Sequence, residues 1–208
     1  MRNAAGVALA LGAGALLMFM HQLGEGPFSG PPARHLRRMK DRVEAPRRIE
    51  PTSLAAMAAL PHGRLPAEVD SIERHAVSLE GYVQHVMHAT DGDIHLEIID
   101  HPVAAGGWDS AYVSAEITPR VRGTGAGWNY ERLIERLRPL IGGVTAWADS
   151  ARRVRITGWL LYDWQYDNPP QPGRSPMRSP RLTGWEIHPV TRIEIWNADS
   201  SGFEDLPR

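Results

Sequence analysis

The 208-residue chain contains no cysteine. That excludes disulfides, thiolate metal sites, a cysteine nucleophile and the acylated cysteine of a lipoprotein. Other absences narrow the chemistry further. The chain has no His-Glu-x-x-His, no serine in a Gly-x-Ser-x-Gly elbow, and no Gly-Lys-Ser/Thr ending to a phosphate loop. No internal repeat is visible. Neither sign of charge is in excess, with 23 Lys and Arg against 24 Asp and Glu and a formal net charge of −1. What remains is an ordinary globular composition, 42% hydrophobic and 23% charged. It argues against a wholly disordered chain and against a polytopic membrane protein.

The balanced total hides an asymmetry. Residues 31–66 carry eight basic and three acidic side chains, a balance of +5, whereas 67–208 carry 14 basic and 20 acidic, a balance of −6. An acidic body repels phosphate backbones, so nucleic acid is disfavoured as a partner.

Residues 1–30 read as a signal or anchor segment. Arg2 forms a short positive start, and Ala4 to Leu23 is an uncharged, mostly apolar run of 20 residues. As a helix it would span roughly 30 Å, about one hydrocarbon core. Met18-Phe19-Met20-His21-Gln22 makes a poor cleavage site, which favours an uncleaved N-terminal apolar helix over a removed signal peptide. The expected location is the cell envelope, outside the cytoplasmic membrane, with the chain anchored by residues 4–23 or secreted after cleavage. Residues 31–66 read as a basic stem. Prolines 31, 32, 46, 51, 61 and 66 interrupt it. A solvated linker is expected, with one short helix from Leu54 to Leu60 capped by Thr52-Ser53.

Residues 67–208 read as one β domain. Val77, Leu79, Gly81 and Val83 alternate with polar residues, and Gly81 marks a bulge or bend. A turn at Thr90-Asp91-Gly92-Asp93 precedes a second strand with Ile94, Leu96 and Ile98 on one face. A third strand runs from Tyr112 to Ile117. Gly123-Thr-Gly-Ala-Gly reads as a flexible connection, and Asn129 caps a helix with Leu133, Ile134 and Leu137 on its apolar face. A fourth strand covers Arg152 to Asp163, and a fifth covers Trp185 to Trp196, interrupted by Pro189. Three strands, one helix and two strands give a mostly β, α+β class. The order is that of a five-stranded Greek-key barrel of the OB (oligonucleotide/oligosaccharide-binding) type, with its helix between strands 3 and 4.

Asp91-Gly92-Asp93-Ile94-His95-Leu96, Ala115-Glu116-Ile117, Val154-Arg155-Ile156-Thr157-Gly158 with Asp163, and Trp185-Glu186-Ile187-His188-Pro189-Val190 follow one another in that order. Over roughly residues 76–196 this pattern resembles a group of exported bacterial proteins that carry no assigned activity. The resemblance implies an OB-like barrel and export. It implies no substrate.

In a strand, residues i and i+2 share a face roughly 6–7 Å apart. His95 with Glu97 and Glu186 with His188 are such pairs, and Glu116 adds a carboxylate on a third strand. If these faces converge, His95, Glu116, Glu186 and His188 suit a divalent metal such as zinc, manganese or iron, which can activate water. The plainer alternative is that they bond one another and fix strand ends. Trp159, on the face opposite Val154, Ile156 and Leu160, is expected to be exposed. With Tyr162 and Asp163 it forms a candidate ligand-binding set. Trp164, Trp185 and Trp196 are expected to close the bottom of the barrel or to pack under the proline-rich loop.

Two functions follow. The preferred one is a non-enzymatic, exported or tethered module that binds or scaffolds a protein, peptide or glycan in the cell envelope and meets the membrane through its N-terminal segment. The alternative is a metal-dependent hydrolase using the His/Glu set, with Asp163 as base.

Overall fold

A computed structural model describes residues 31–89, 91–102, 111–122, 128–137, 152–167 and 181–208. The alternating stretches become the strands of a mostly β structure. The short elements before the barrel are α1 (Pro31–Lys40), β1 (Glu50–Thr52), α2 (Leu54–Ala58) and α3 (Pro66–Val69). The barrel strands are β2 (Ala76–His88), β3 (Ile94–Ile99), β4 (Val113–Ile117), β5 (Arg153–Tyr162) and β6 (Trp185–Asn197). Helices α4 (Pro119–Arg122) and α5 (Tyr130–Leu137) lie between β4 and β5, and β7 (Gly202–Asp205) follows β6.

Five strands close into a mixed barrel. β2 pairs with β3, β3 with β4, and β5 with β6, all antiparallel. β4 meets β6 in parallel at Ala115 and Ile187, and β2 closes the ring by pairing with β5. β2 serves two neighbours because it is long and bent. Ala76 to Tyr82 face β5, and Tyr82 to His88 face β3. Gly81 sits at the changeover, where a Cβ would lie 2.6 Å from the Ile99 carbonyl oxygen. The register shift itself falls between Val83 and His85. Inward residues of every strand, among them Leu79, Leu96, Ala115, Ile156 and Ile187, form one buried core. Burying each large aliphatic side chain contributes about 1.5–3 kcal/mol.

Local signals explain the turns and caps. Gly92 takes a positive φ of 90°, which glycine adopts without strain, and the Asp93 N–H donates to Asp91 Oδ1 at 3.2 Å. Ser53 Oγ accepts from the Ala56 N–H, capping α2, and Asn129 Oδ1 accepts from the Arg132 N–H at the start of α5. Leu133 and Leu137 of α5 are buried, with Ile134 packed beside them.

Three expectations are corrected. First, residues 31–66 are not a solvated linker along their length. Leu36 and Met39 of α1 bury against Leu161, and β1 pairs in parallel with β2. Second, Pro189 does not interrupt β6. The strand runs through it, with a shifted register opposite Gly158. Third, β7 extends the sheet beyond Trp196, pairing with β6. The expected apolar helix within residues 1–30, the glycine-rich stretch 123–127 and most of the proline-rich loop after Gln165 lie outside the described residues. Among the described residues no helix is long and apolar enough to cross a membrane.

Candidate functional site

Strand register brings the predicted His and Glu residues together. His95 on β3 stands directly opposite Glu116 on β4. Glu186 and His188 flank Ile187 on β6, and Ile187 pairs with Ala115, the neighbour of Glu116. Since side chains alternate across a strand, all four lie on the outer face where β3, β4 and β6 adjoin. His95 Nε2 is 3.0 Å from Glu116 Oε2. His188 Nδ1 is 3.1 Å from the same oxygen and 3.0 Å from Glu186 Oε1. Convergence of His95 and His188 on one carboxylate is therefore a property of the fold.

Further groups complete the cluster. Asp93, from the β2–β3 turn, places Oδ2 3.5 Å from His188 Nε2. Arg181 reaches Glu186 at 3.1 Å and Glu116 at 3.3 Å. Lys40, at the end of α1, lies 3.8 Å from both Asp91 and Glu116 and 4.0 Å from Asp163. Ser114 Oγ donates to Glu116 Oε1 at 3.1 Å. Glu97 goes elsewhere, accepting from Gln84 at 3.0 Å and meeting His85 at 2.8 Å.

Burial makes these charges interact strongly. Glu116, Glu186 and His188 are at most 1% exposed. Burial alone would lower the His188 pKa, but the Glu116 and Glu186 carboxylates outweigh it and lift it to about 9. Burial would likewise raise Glu116, yet His188, His95 and Lys40 hold it well below the ordinary carboxylate value. Asp93 and Asp163 rise to about 6, mainly through burial, with neighbouring carboxylates adding to it. Lys40 is driven well above its ordinary value despite burial, because Glu116, Glu186, Asp163 and Asp91 surround it. Three buried atoms, His95 Nε2, Glu116 Oε2 and His188 Nε2, have no aligned hydrogen-bond partner. The short His95–Glu116 separation is an ion-pair contact rather than a well-directed bond.

A set of one imidazole and two carboxylates, Asp93, Glu116 and His188, offers ligand atoms within 4.8 Å of one another, a spacing a metal ion can draw together. The cluster is nearly closed. His95 and Lys40, with side chains 21% and 23% exposed, form its accessible edge. The described groove of about 460 Å³, bordered by Ile49, Trp128, Arg192 and Leu206, shares no residue with it.

The candidate ligand-binding set divides. Asp163 joins the cluster through Lys40. Tyr162 is a core residue whose ring packs on Trp185 and whose hydroxyl bonds Asp167. Trp159 is half-buried. Its indole N–H donates to the Glu44 carbonyl at 2.8 Å, and the Arg42 guanidinium lies 5.1 Å from the ring centre. The expectation that Trp159 stands free is corrected, because residues 42–44 cap it. Trp185 is buried as expected, whereas Trp164 is 38% exposed and Tyr166 55%. Trp196 is half-buried, edge-on to Phe203. Sequence reading missed Asp93, Arg181 and Lys40. Asp93 was within reach, since it sits two residues before His95 on the same strand face. Lys40 and Arg181 carry no local signal.

No protein-family model and no curated protein matches the chain. Solved structures that resemble it in part include the following two. Entamoeba histolytica asparaginyl-tRNA synthetase aligns with 73% of this chain at 16% identity and a TM-score of 0.36. The alignment spans 24% of that synthetase. The OBody AM3L09, bound to hen egg-white lysozyme, aligns with 67% of this chain and 98% of its own length, at 16% identity and a TM-score of 0.32.

Proposed function

We propose that this chain is an OB-like barrel that acts by binding, an exported or membrane-tethered module for a protein, peptide or glycan of the cell envelope. The strand order β2-β3-β4-β6-β5, closing on β2, supports the OB-like reading, as does a helix between the third and fourth barrel strands. In that architecture the second and third barrel strands, here β3 and β4, carry the binding face.

One observation carries the choice of binding over catalysis. The His/Glu cluster on that face is nearly closed and internally ion-paired, while the Trp164 and Tyr166 rings are exposed. Trp164 and Tyr166 lie in the turn that Asp163 caps, and Arg181, a member of the cluster, lies 4.3 Å from the Tyr166 ring centre. Exposed rings next to fixed charges suit peptide side chains or sugar faces. The acidic cluster disfavours a phosphate backbone.

The test is retention of purified envelope protein and glycan fractions by the immobilised full chain. Trp164→Ala with Tyr166→Ala is expected to reduce retention at least tenfold while far-UV circular dichroism stays unchanged. Equal retention by the double variant overturns the reading. The second reading, a metal-dependent hydrolase, is favoured by the convergence of His95, Glu116, Glu186 and His188. It requires metal-stimulated turnover of an ester or peptide substrate that is lost in His95→Ala.

A further inference from the structure

We propose that Asp93, Glu116 and His188 bind one divalent first-row cation of the manganese or zinc class, with Glu186 and His95 orienting its ligands. This site is independent of any partner bound through Trp164 and Tyr166.

The charge balance comes first. Four buried carboxylates, Asp93, Glu116, Asp163 and Glu186, and the more exposed Asp91 share one region with two permanent cations, Lys40 and Arg181, and the imidazoles of His95 and His188. Burying an excess of like charge is costly unless cations compensate it. The two cations are not spread evenly. Lys40 pairs with Asp91, Glu116 and Asp163, and Arg181 with Glu116 and Glu186. Neither makes an ion pair with Asp93, which is 5% exposed and meets His188 Nε2 at 3.5 Å.

Orientation comes second. His188 presents Nδ1 to Glu186 at 3.0 Å, and its fully buried Nε2 has no hydrogen-bond partner. A carboxylate on Nδ1 is the outer-shell partner of a metal-bound histidine, and a cation would take Nε2 in place of its proton. Nε2 faces Asp93 Oδ2 at 3.5 Å. Glu116 Oε2 is a second buried atom without an aligned hydrogen bond, held between His95 at 3.0 Å and His188 Nδ1 at 3.1 Å. Two buried atoms without an aligned hydrogen bond, His188 Nε2 and Glu116 Oε2, and the Asp93 carboxylate thus meet in one small volume.

Size and chemistry agree. Ligands bound at about 2.0–2.2 Å lie within about 4 Å of each other. The 4.8 Å envelope of these three atoms therefore needs side-chain shifts of less than about 1 Å. An imidazole with two carboxylates suits manganese, iron or zinc better than calcium, which takes six to eight oxygens.

The test uses the full chain, purified without an affinity tag and stripped with chelator. Mn²⁺ is titrated in and followed by the free-ion electron paramagnetic resonance signal. Zn²⁺ is measured by elemental analysis after dialysis. One ion per chain is expected. Asp93→Asn, a near-isosteric change, should weaken binding at least tenfold, and Glu186→Gln should weaken it by about 10–100-fold. Glu97→Gln, a buried carboxylate outside the cluster, should leave it unchanged. Should Asp93→Asn fail to fold, wild type alone decides by NMR. Bound Mn²⁺ must broaden the ring signals of His188 and His95 and spare those of His62 and His75. Fewer than one ion per ten chains, or broadening spread over all histidines, overturns the site. That failure leaves retention by Trp164 and Tyr166 untouched, so the two readings separate.

Discussion

Gly158 shows how a single missing side chain sets the barrel. A Cβ there would lie 2.4 Å from the Pro189 carbonyl oxygen and 2.6 Å from Ile187 Cγ2. The first contact is backbone, so β5 and β6 would have to part. Gly158→Ala is expected to cost about 2–3 kcal/mol, read as a lower midpoint in urea. An unchanged midpoint would mean that the two strands are not packed this closely. The glycine belongs to the Val154-Arg-Ile-Thr-Gly stretch, and its strand was legible from alternation alone. Its partner was not, since no local rule says which strand will lie against it. The cluster divides the same way. His95, Glu116, Glu186 and His188 were legible as i and i+2 pairs because a strand has period two. Their meeting depends on β4 and β6 lying parallel, a long-range choice. Lys40 arrives from a helix in a stretch whose prolines and charge suggested solvent.

At the scale of elements, α1 is held by several contacts that agree. His35 Nε2 meets the fully buried Glu73 at 2.5 Å. Arg42 donates to the carbonyls of Glu73, Leu160 and His188. Lys40 reaches into the carboxylate cluster. Removing Lys40's charge takes one of several counter-ions from Glu116 and leaves buried Asp163 without its ion pair, so Lys40→Met is expected to destabilise the chain by about 2 kcal/mol. Thermal unfolding in the presence of chelator measures it. A variant as stable as wild type would show that the protonated histidines already balance the site.

A second link joins the loop after α2 to the turn after β5. Asp167 accepts from the Gly63 N–H at 2.7 Å and meets His62 at 2.6 Å and the Tyr162 hydroxyl. Burial would raise the Asp167 pKa, but the Tyr162 hydroxyl, Gly63 and His62 lower it below 3.8. The Ala58 carbonyl and Asp167 raise His62 above 6.5. The lowered acid stabilises the fold above its unfolded pKa and stops doing so as pH falls. The raised base stabilises the fold below its unfolded pKa and stops doing so as pH rises. The gap in melting temperature between wild type and Asp167→Asn should therefore be widest between about pH 4 and 6.5 and narrow on both sides. A constant gap from pH 3 to 9 would remove the link.

For the whole molecule, the site's position matters more than any one contact. Its ligands lie at the β2–β3 turn, on β4 and on β6, segments far apart in sequence that meet only when the barrel is closed. An ion held there stabilises only the closed state. It cannot favour a partly folded hairpin, because β2 and β3 alone lack Glu116 and His188. At a free concentration one hundred times its dissociation constant, one ion adds about 2.7 kcal/mol to global stability. Hydrogen exchange distinguishes this from local tightening. Saturating Mn²⁺ should slow the most protected amides of β2, β3, β5 and β6 by a common factor of about 100, since these exchange through global opening. Slowing limited to residues near His188 would mean that the ion stiffens one face without holding the barrel together.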